Sequence, residues 1–182
     1  MDPKPLPRQL DAGPLTLRLP EPDDEAEVVA MLSADTEIAR WTTVPFPYGP
    51  VQFSEFLALA ATDYEAGTGL HFVIHDLEGR RLGAVGTRIQ WDTNTADIGY
   101  WLGAEARGRG VATTTAQAIC HWLAEQGLAR IEAEVLEGNP TSGRVLTRLG
   151  FVMEAVVNQK ADRCGLDPDG QINVEKWAHD LS

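Results

Sequence analysis

Apolar and polar positions alternate over residues 15–19, which predicts a short strand. The run Pro22-Asp23-Asp24-Glu25 then opens a helix, with acids in the first turn where the helix dipole favours them. Val28, Val29 and Leu32 give that helix its apolar face. A second helical pattern carries Phe53, Phe56, Leu57, Ala60, Ala61 and Tyr64, and Gly67 and Gly69 end it. Between the two helices, residues 38–50 hold Trp41, Pro45, Phe46, Pro47, Tyr48 and Pro50 and read as a loop. Residues 1–14 carry Pro3, Pro5, Pro7 and Pro14 and read as a flexible arm ahead of one domain over 15–182.

Beyond Gly69 the period drops to two. Residues 70–75, 81–90 and 96–102 read as an antiparallel meander, with turn signals at Glu78-Gly79 and at 92–94. A loop at 103–110 leads into a helix over 111–126, stopped by Gly127. A strand follows at 129–136, then a short helix at 139–149 closed by Gly150. Two last strands, 151–157 and 171–178, flank a polar loop that holds Cys164 and Asp167-Pro168-Asp169-Gly170. No block repeats. The order predicts a single α+β domain, a mixed and mostly antiparallel central sheet with helices on both faces.

Charge and composition narrow the partners. Fifteen basic residues against 27 acidic ones give a net charge of -12. Phosphate backbones require clustered Lys and Arg, so nucleic acid is not an expected partner, and anionic membrane surfaces are disfavoured likewise. A cationic small substrate or a basic peptide would be attracted. The longest apolar run is the six residues 56–61, short of the ~18 needed to span a membrane. The N-terminus lacks the apolar stretch of a signal peptide. Cys120 and Cys164 lie far apart in no motif, which fits a reducing cytoplasm. His71 and His75, four apart on one strand, stand about 13 Å apart, too far to share a metal. No metal site is expected.

The most informative stretch is Arg107-Gly108-Arg109-Gly110-Val111-Ala112-Thr113, between a strand and a helix. The two glycines let backbone amides face outward, the helix N-terminus adds partial positive charge, and the two arginines can grip phosphate oxygens. A Walker loop needs Lys and Ser/Thr after its last glycine, where Val111 and Ala112 stand. A dinucleotide fingerprint needs a third Gly or Ala where Thr113 stands, although Glu137 could imitate its ribose-binding acid. The remaining pattern, Arg/Gln-x-x-Gly-x-Gly/Ala, is met by Arg107, Gly110 and Ala112. Asp97-Ile98-Gly99-Tyr100-Trp101-Leu102-Gly103 lies upstream, and Asn139-Pro140-Thr141-Ser142 runs on to Leu149-Gly150-Phe151 downstream. These three blocks, in this order, resemble the GNAT superfamily of acyl-CoA-dependent N-acyltransferases, in its RimJ/RimL-type branch of ribosomal-protein N-terminal acetyltransferases.

The resemblance implies acetyl-CoA as the donor, its pantetheine arm lying between the strands 96–102 and 129–136. Backbone groups of Tyr100, Trp101 and Leu102 would bind that arm like an added strand. Arg107, Gly108, Arg109, Gly110, Val111, Ala112 and Thr113 would hold the pyrophosphate, and Asn139 and Ser142 would contact the cofactor near its sulfur. A backbone N–H around Gly99 or Tyr100 is the expected oxyanion donor. Asp97 is the candidate base, with Glu132 and Glu134 in reserve, and Ser142 the candidate donor to the leaving thiolate. Many relatives place a Tyr four residues after this Ser, where this chain has Leu146. Trp41, Phe46, Tyr48 and Trp91 are the candidate walls of the acceptor pocket.

Deprotonating an α-amine at neutral pH costs about 1 kcal/mol, and a lysine amine ~4.6 kcal/mol. The absence of a strongly arranged base in the sequence therefore leans toward an α-amine on a protein or peptide N-terminus. The alternatives are a small-molecule amine (antibiotic, polyamine or amino acid) and a non-catalytic CoA-binding module. Relatives of this kind often form homodimers, and the sequence leaves this chain's oligomeric state open.

Overall fold

A computed structural model describes residues 5–160 and 171–181 of the chain. Eight strands form one sheet in the order β1-β2-β3-β4-β5-β6-β8-β7. They are β1 (Gln9–Ala12), β2 (Leu15–Arg18), β3 (Gly69–His75), β4 (Arg81–Gln90), β5 (Thr95–Leu102), β6 (Arg130–Leu136), β7 (Val152–Lys160) and β8 (Gln171–Asp180). The helices are α1 (Glu25–Ala34), α2 (Thr36–Trp41), α3 (Pro50–Ala66), α4 (Val111–Glu125) and α5 (Pro140–Arg148). Every neighbouring pair of strands is antiparallel except β5 and β6. The architecture is the α+β one the periodicity predicts.

Alternation along the strands sends side chains to two separate cores. Leu70, Phe72 and Ile74 of β3, Val85 and Ile89 of β4, Ile98 of β5 and Ile131 of β6 pack with Ala116, Ile119 and Leu123 of α4 and Leu146 of α5. On the opposite face Val73 packs with Val28 and Leu32 of α1, Ile38 of α2, Tyr48 and Phe53. The helices therefore cover both faces, α1–α3 on one and α4–α5 on the other.

Two elements differ from expectation. Gln9–Ala12, read as part of a flexible arm, forms β1, registered with β2 from Gln9↔Arg18 to Ala12↔Leu15. Gly13, at φ +62°, and Pro14 turn the hairpin. Leu6, ahead of β1, is buried, and its carbonyl accepts a hydrogen bond from the Tyr64 hydroxyl. The prolines mask this strand, yet Leu10 and Ala12 keep its alternation. The second difference is α2, in a stretch read as loop from residue 38: Asp35 caps it, its carboxylate accepting the Glu37 N–H at 3.0 Å. The last strands run to Lys160 and Asp180, past the expected 157 and 178. Cys164 and the turn at 167–170 lie outside the described residues.

β5 and β6 position the site. They pair only at Thr95↔Arg130, Ala96↔Ile131 and Asp97↔Glu132. Past Asp97, β5 stays registered with β4 to Leu102↔Gly83, while β6 stays registered with β8 to Leu136↔Val174. The sheet opens into a wedge whose mouth faces the start of α4.

A buried ionic cluster fixes α1 to the sheet. The Asp24 side chain is fully buried and accepts from Arg81 Nε at 2.9 Å, Arg18 Nη2 at 3.1 Å and the Glu21 N–H at 2.8 Å. His75 Nε2 lies 3.3 Å from the same carboxylate. Burial alone would raise the Asp24 pKa, but the hydrogen bonds from His75, Glu21 and Arg81 and the charge of Arg18 outweigh it and hold the carboxyl well below the usual range. Removing one partner of such a cluster strands the others, so Asp24→Ala should cost about 3–5 kcal/mol in denaturant unfolding. A carboxylate with a folded pKa below its unfolded one stabilises fully above about pH 4, and the gain drains away as pH falls further. Unfolding free energy measured against pH should therefore fall less steeply below about pH 4 in Asp24→Asn than in the parent chain.

Candidate active site

The cofactor side of the wedge is built by the loop before α4. Gly108 at φ +72° and Gly110 at φ +79° adopt the left-handed conformation in which only glycine is unstrained. The first helical bond runs from Thr114 N–H to the Gly110 carbonyl. The amides of Val111, Ala112 and Thr113 precede it, have no carbonyl of the helix to bond, and point out from the positive end of a 15-residue helix. They form a cradle for an anion.

The two arginines of the loop separate in role. Arg107 is tied down: its Nη2 lies 2.5 Å from Asp35 Oδ2 and its Nε donates to the Leu102 carbonyl at 3.1 Å. The other oxygen of Asp35 is the cap of α2, so one carboxylate joins the loop to that helix. Arg109 is exposed and lines an open cleft of about 240 Å³ with Val111, Thr114, Arg80 and Asp76. That cleft lies beside the α4 N-terminus; Tyr100 and Ser142 take no part in it. Of the two, Arg109 is the one placed to reach a phosphate.

Deeper in the wedge, the Tyr100 hydroxyl crosses from β5 to α5 and lies 2.8 Å from Ser142 Oγ. Asn139 caps α5, its side-chain oxygen accepting the Ser142 N–H at 3.2 Å, and so fixes the serine's backbone. Burial pushes the Tyr100 pKa up, and the bond to Ser142 only partly opposes this, so the phenol stays protonated at neutral pH. Leu146, where many relatives carry a Tyr, is 1% exposed and belongs to the core. The phenol comes from a different element. The signal was available: Ala96, Ile98 and Tyr100 alternate onto the face that α4 and α5 cover.

On the α1–α3 face, Asp97 meets Arg88, with Oδ2 2.9 Å from Nη2 and Oδ1 accepting the Arg88 N–H at 3.1 Å. Glu132 pairs with Arg130 at 3.0 Å, and Glu134 with Lys176. Burial would raise the Glu134 pKa, but the bonds from Lys176 and Gln159 and the charges of Lys176 and Arg88 lower it. All three candidate bases thus have a cationic partner within 4 Å.

The four aromatic candidates fall in different places. Trp41 stands at the mouth: its indole N–H donates to Glu37 at 3.1 Å, and its ring reaches to 4.0 Å from the Cβ position of Gly138, on the turn between β6 and α5. Trp41 therefore places an aromatic ring of α2 beside the turn that follows β6. Phe46 is half-buried in the loop between α2 and α3. Tyr48 is 8% exposed and packs in the α1–α3 core, where burial and the charge of Glu55 push its pKa up to about 12, so its ring is not a pocket wall. Trp91 sits where β4 turns into β5, at the paired end of β5, with its N–H spent on the Gly67 carbonyl at 2.7 Å; the structure does not bring it to the wedge. Trp101 is half-buried against the α1–α3 core and Leu102 against the other one. Burial pushes the Cys120 thiol up to about 12, which leaves it unreactive.

Residues 14–152 match the family model for the acetyltransferase (GNAT) domain. The chain belongs to the GNAT acetyltransferase family. The ribosomal-protein-serine acetyltransferase of Escherichia coli (strain K12) is 37% identical over 73 residues, 40% of this chain and 41% of that protein. The chain thus aligns with less than half the length of that relative. Among solved structures, the microcin C7 self-immunity acetyltransferase MccE, in complex with acetyl-CoA and AMP, superposes with a TM-score of 0.84 over 97% of this chain and 98% of its own, at 21% identity. Mycobacterium smegmatis RimJ, in complex with CoA-disulfide, gives 0.80 over 94% and 85% of the two chains at 23% identity. These similarities agree with the RimJ/RimL-type branch, and the GNAT acetyltransferases use acetyl-CoA.

The split between the two arginines is testable by calorimetry with acetyl-CoA. Arg109→Glu should weaken binding at least tenfold, a loss of about 1.4 kcal/mol or more. Arg107→Ala should instead lower the melting temperature and weaken binding less, because its guanidinium holds the loop to α2 and β5.

Proposed function

We propose that this GNAT enzyme transfers the acetyl group of acetyl-CoA directly to a primary amine, and that its preferred acceptor is the α-amine of a protein or peptide N-terminus. The observation that carries this reading is the engagement of the carboxylates facing the acceptor side: Asp97 pairs with Arg88, Glu134 with Lys176, and Glu132 with an Arg130 that it shares with Glu154 and Asp180. Against the effect of burial, Lys176 also lowers the Glu134 pKa, which makes that carboxylate a weak proton acceptor. Such a site suits an amine that needs only about 1 kcal/mol to become neutral, and suits lysine, at ~4.6 kcal/mol, poorly. The likeness to a ribosomal-protein-serine acetyltransferase points the same way.

Acetyl-CoA brings an activated thioester carbonyl. In this reading the chain's residues divide the remaining work. The amides of Val111, Ala112 and Thr113, with Arg109, hold the pyrophosphate. Unpaired backbone groups of β5 beyond Asp97 hold the arm, and an N–H near Gly99 or Tyr100 donates to the developing oxyanion. Ser142 Oγ gives a proton to the departing sulfur, and the Tyr100 phenol, 2.8 Å away, replaces it. Trp41 and Phe46 border the acceptor.

A panel of amines at pH 7 tests the acceptor: Ser- and Ala-initiated peptides, the same peptides with a blocked N-terminus and one lysine, spermidine, and free amino acids. Free N-termini should give the highest kcat/KM. Faster turnover of spermidine or of an amino acid would move the enzyme to the small-molecule reading. Acetyl-CoA binding with no turnover of any amine would leave the non-catalytic module. Ser142→Ala should lower kcat about 10- to 100-fold with little change in acetyl-CoA affinity. Tyr100→Phe should lower it less, and the double variant should be no slower than Ser142→Ala, because the two groups act as one relay.

A further inference from the structure

The face of the sheet that carries the ion-paired Asp97, Glu132 and Glu134 also carries a histidine suited to taking a proton. His71 lies on β3, and its Nε2 is 2.6 Å from Asp63 Oδ2 on α3. That short contact fixes the imidazole and puts the Nε2 proton toward the carboxylate. Nδ1 is then the free lone pair, and it has no hydrogen bond among the described residues. Phe56 of α3 packs against the ring in a T-shaped arrangement, with centroids 6.3 Å apart. The imidazole thus lies between α3 and the sheet.

The register shows where Nδ1 is aimed. His71 pairs with Gly86 on β4, and Gly86 pairs with Gly99 on β5, so the three form one row across the sheet. The ring leans over Gly86: a Cβ there would stand 3.3 Å from Nδ1 and 2.9 Å from the Leu70 carbonyl. Nothing lies within 4 Å of the corresponding position on Gly99, which is exposed. The two glycines form a side-chain-free lane from His71 to the strand where β5 has left β6. Charged groups near the ring are Asp63 on α3 and, one row along, the Arg88–Asp97 pair.

We propose that His71 is the general base of the transfer, oriented by Asp63, with its Nδ1 taking the proton of the acceptor ammonium over Gly86 and Gly99. The proposal deepens the reading above and rests on its N-acetyl transfer, not on its choice of acceptor. Nδ1 removes one proton from the ammonium. The freed amine then forms the C–N bond to the thioester carbonyl carbon, and the C–S bond breaks. The thiolate takes a proton from the Ser142–Tyr100 pair, the second amine proton leaves as the intermediate collapses and passes through solvent to restore that pair, and His71 returns its own to solvent. The products are an amide and CoA thiol, with one proton released. Asp63 is a positioning residue in this scheme.

The test compares parent, His71→Gln and Asp63→Asn on whichever amine of the panel turns over fastest, with acetyl-CoA affinity measured alongside. His71→Gln should bind acetyl-CoA as the parent does and lose about 100-fold in kcat at pH 7. Its deficit should shrink as pH passes about 8, where an α-amine deprotonates without help. Asp63→Asn should lose about tenfold and displace the acidic limb of the kcat profile, because the substitution removes the negative charge that faces the imidazole at 2.6 Å. A tie that merely held α3 to the sheet would lower the melting temperature of both variants and leave the limb in place, and that result overturns the proposal. So does a His71→Gln enzyme with the parent's kcat at pH 7, whichever amine is used. Fastest turnover of spermidine would sink the α-amine reading alone, and the comparison would proceed on spermidine. With no amine accepted, slow hydrolysis of acetyl-CoA by water is the readout: equal rates in parent and His71→Gln overturn the assignment, and a large loss supports it.

Discussion

The structure depends on two parallel strands that stop pairing after three residues. β5 and β6 each keep an antiparallel partner on the far side, β4 and β8, so neither strand loses its place when they part. What the parting leaves is a row of backbone N–H and C=O groups inside a domain, pointed at each other across a gap. Such groups are costly to bury without partners, and an extended ligand with amides of its own satisfies them. The opening at the C-terminal end of β5 leads straight to the N-terminus of α4, where a second set of free amides forms a cradle suited to an anion. Backbone geometry, more than side-chain identity, thus defines where an acyl-CoA fits.

Side chains enter where chemistry must be directional. The two faces of β5 carry different work because alternate residues face different cores. Tyr100 points to the α4–α5 side and meets Ser142. Gly99 points to the α1–α3 side, beside the lane that leads to His71. In the reaction we propose, adjacent residues on one strand serve the leaving group and the nucleophile from opposite faces of the sheet.

Much of this was legible in the sequence. The Arg107–Thr113 loop, the Asp97–Gly103 block and Asn139-Pro140-Thr141-Ser142 are local signals, because left-handed glycines, helix starts and caps depend on neighbouring residues. The period-2 meander and the long α4 were equally clear. β1 was hidden because Pro3, Pro5 and Pro7 dominate the composition of a segment whose pairing comes from β2. α2 was hidden because Pro45, Pro47 and Pro50 weighed more than the Asp35 cap. Pairings between distant segments were out of reach: nothing in the sequence sets Arg88 beside Asp97 or Asp35 beside Arg107. Tyr48 and Trp91 read as pocket walls because aromatic residues in loops are equally at home lining a site or anchoring a loop. His71 was weighed only as a metal ligand, since nothing in the spacing from residue 63 to residue 71 links a helix residue to a strand residue.

Asp35 gives the molecule a mechanical property. Its two oxygens serve different masters, one capping the first turn of α2 and the other gripping Arg107 at the root of the phosphate loop. Trp41, at the far end of that same six-residue helix, stands beside the turn between β6 and α5. The helix is a short strut, pinned at one end to the loop ahead of α4 and carrying at the other a ring beside the turn between β6 and α5. A displacement of the loop is therefore carried to that turn by a rigid body instead of dissipating in a flexible linker.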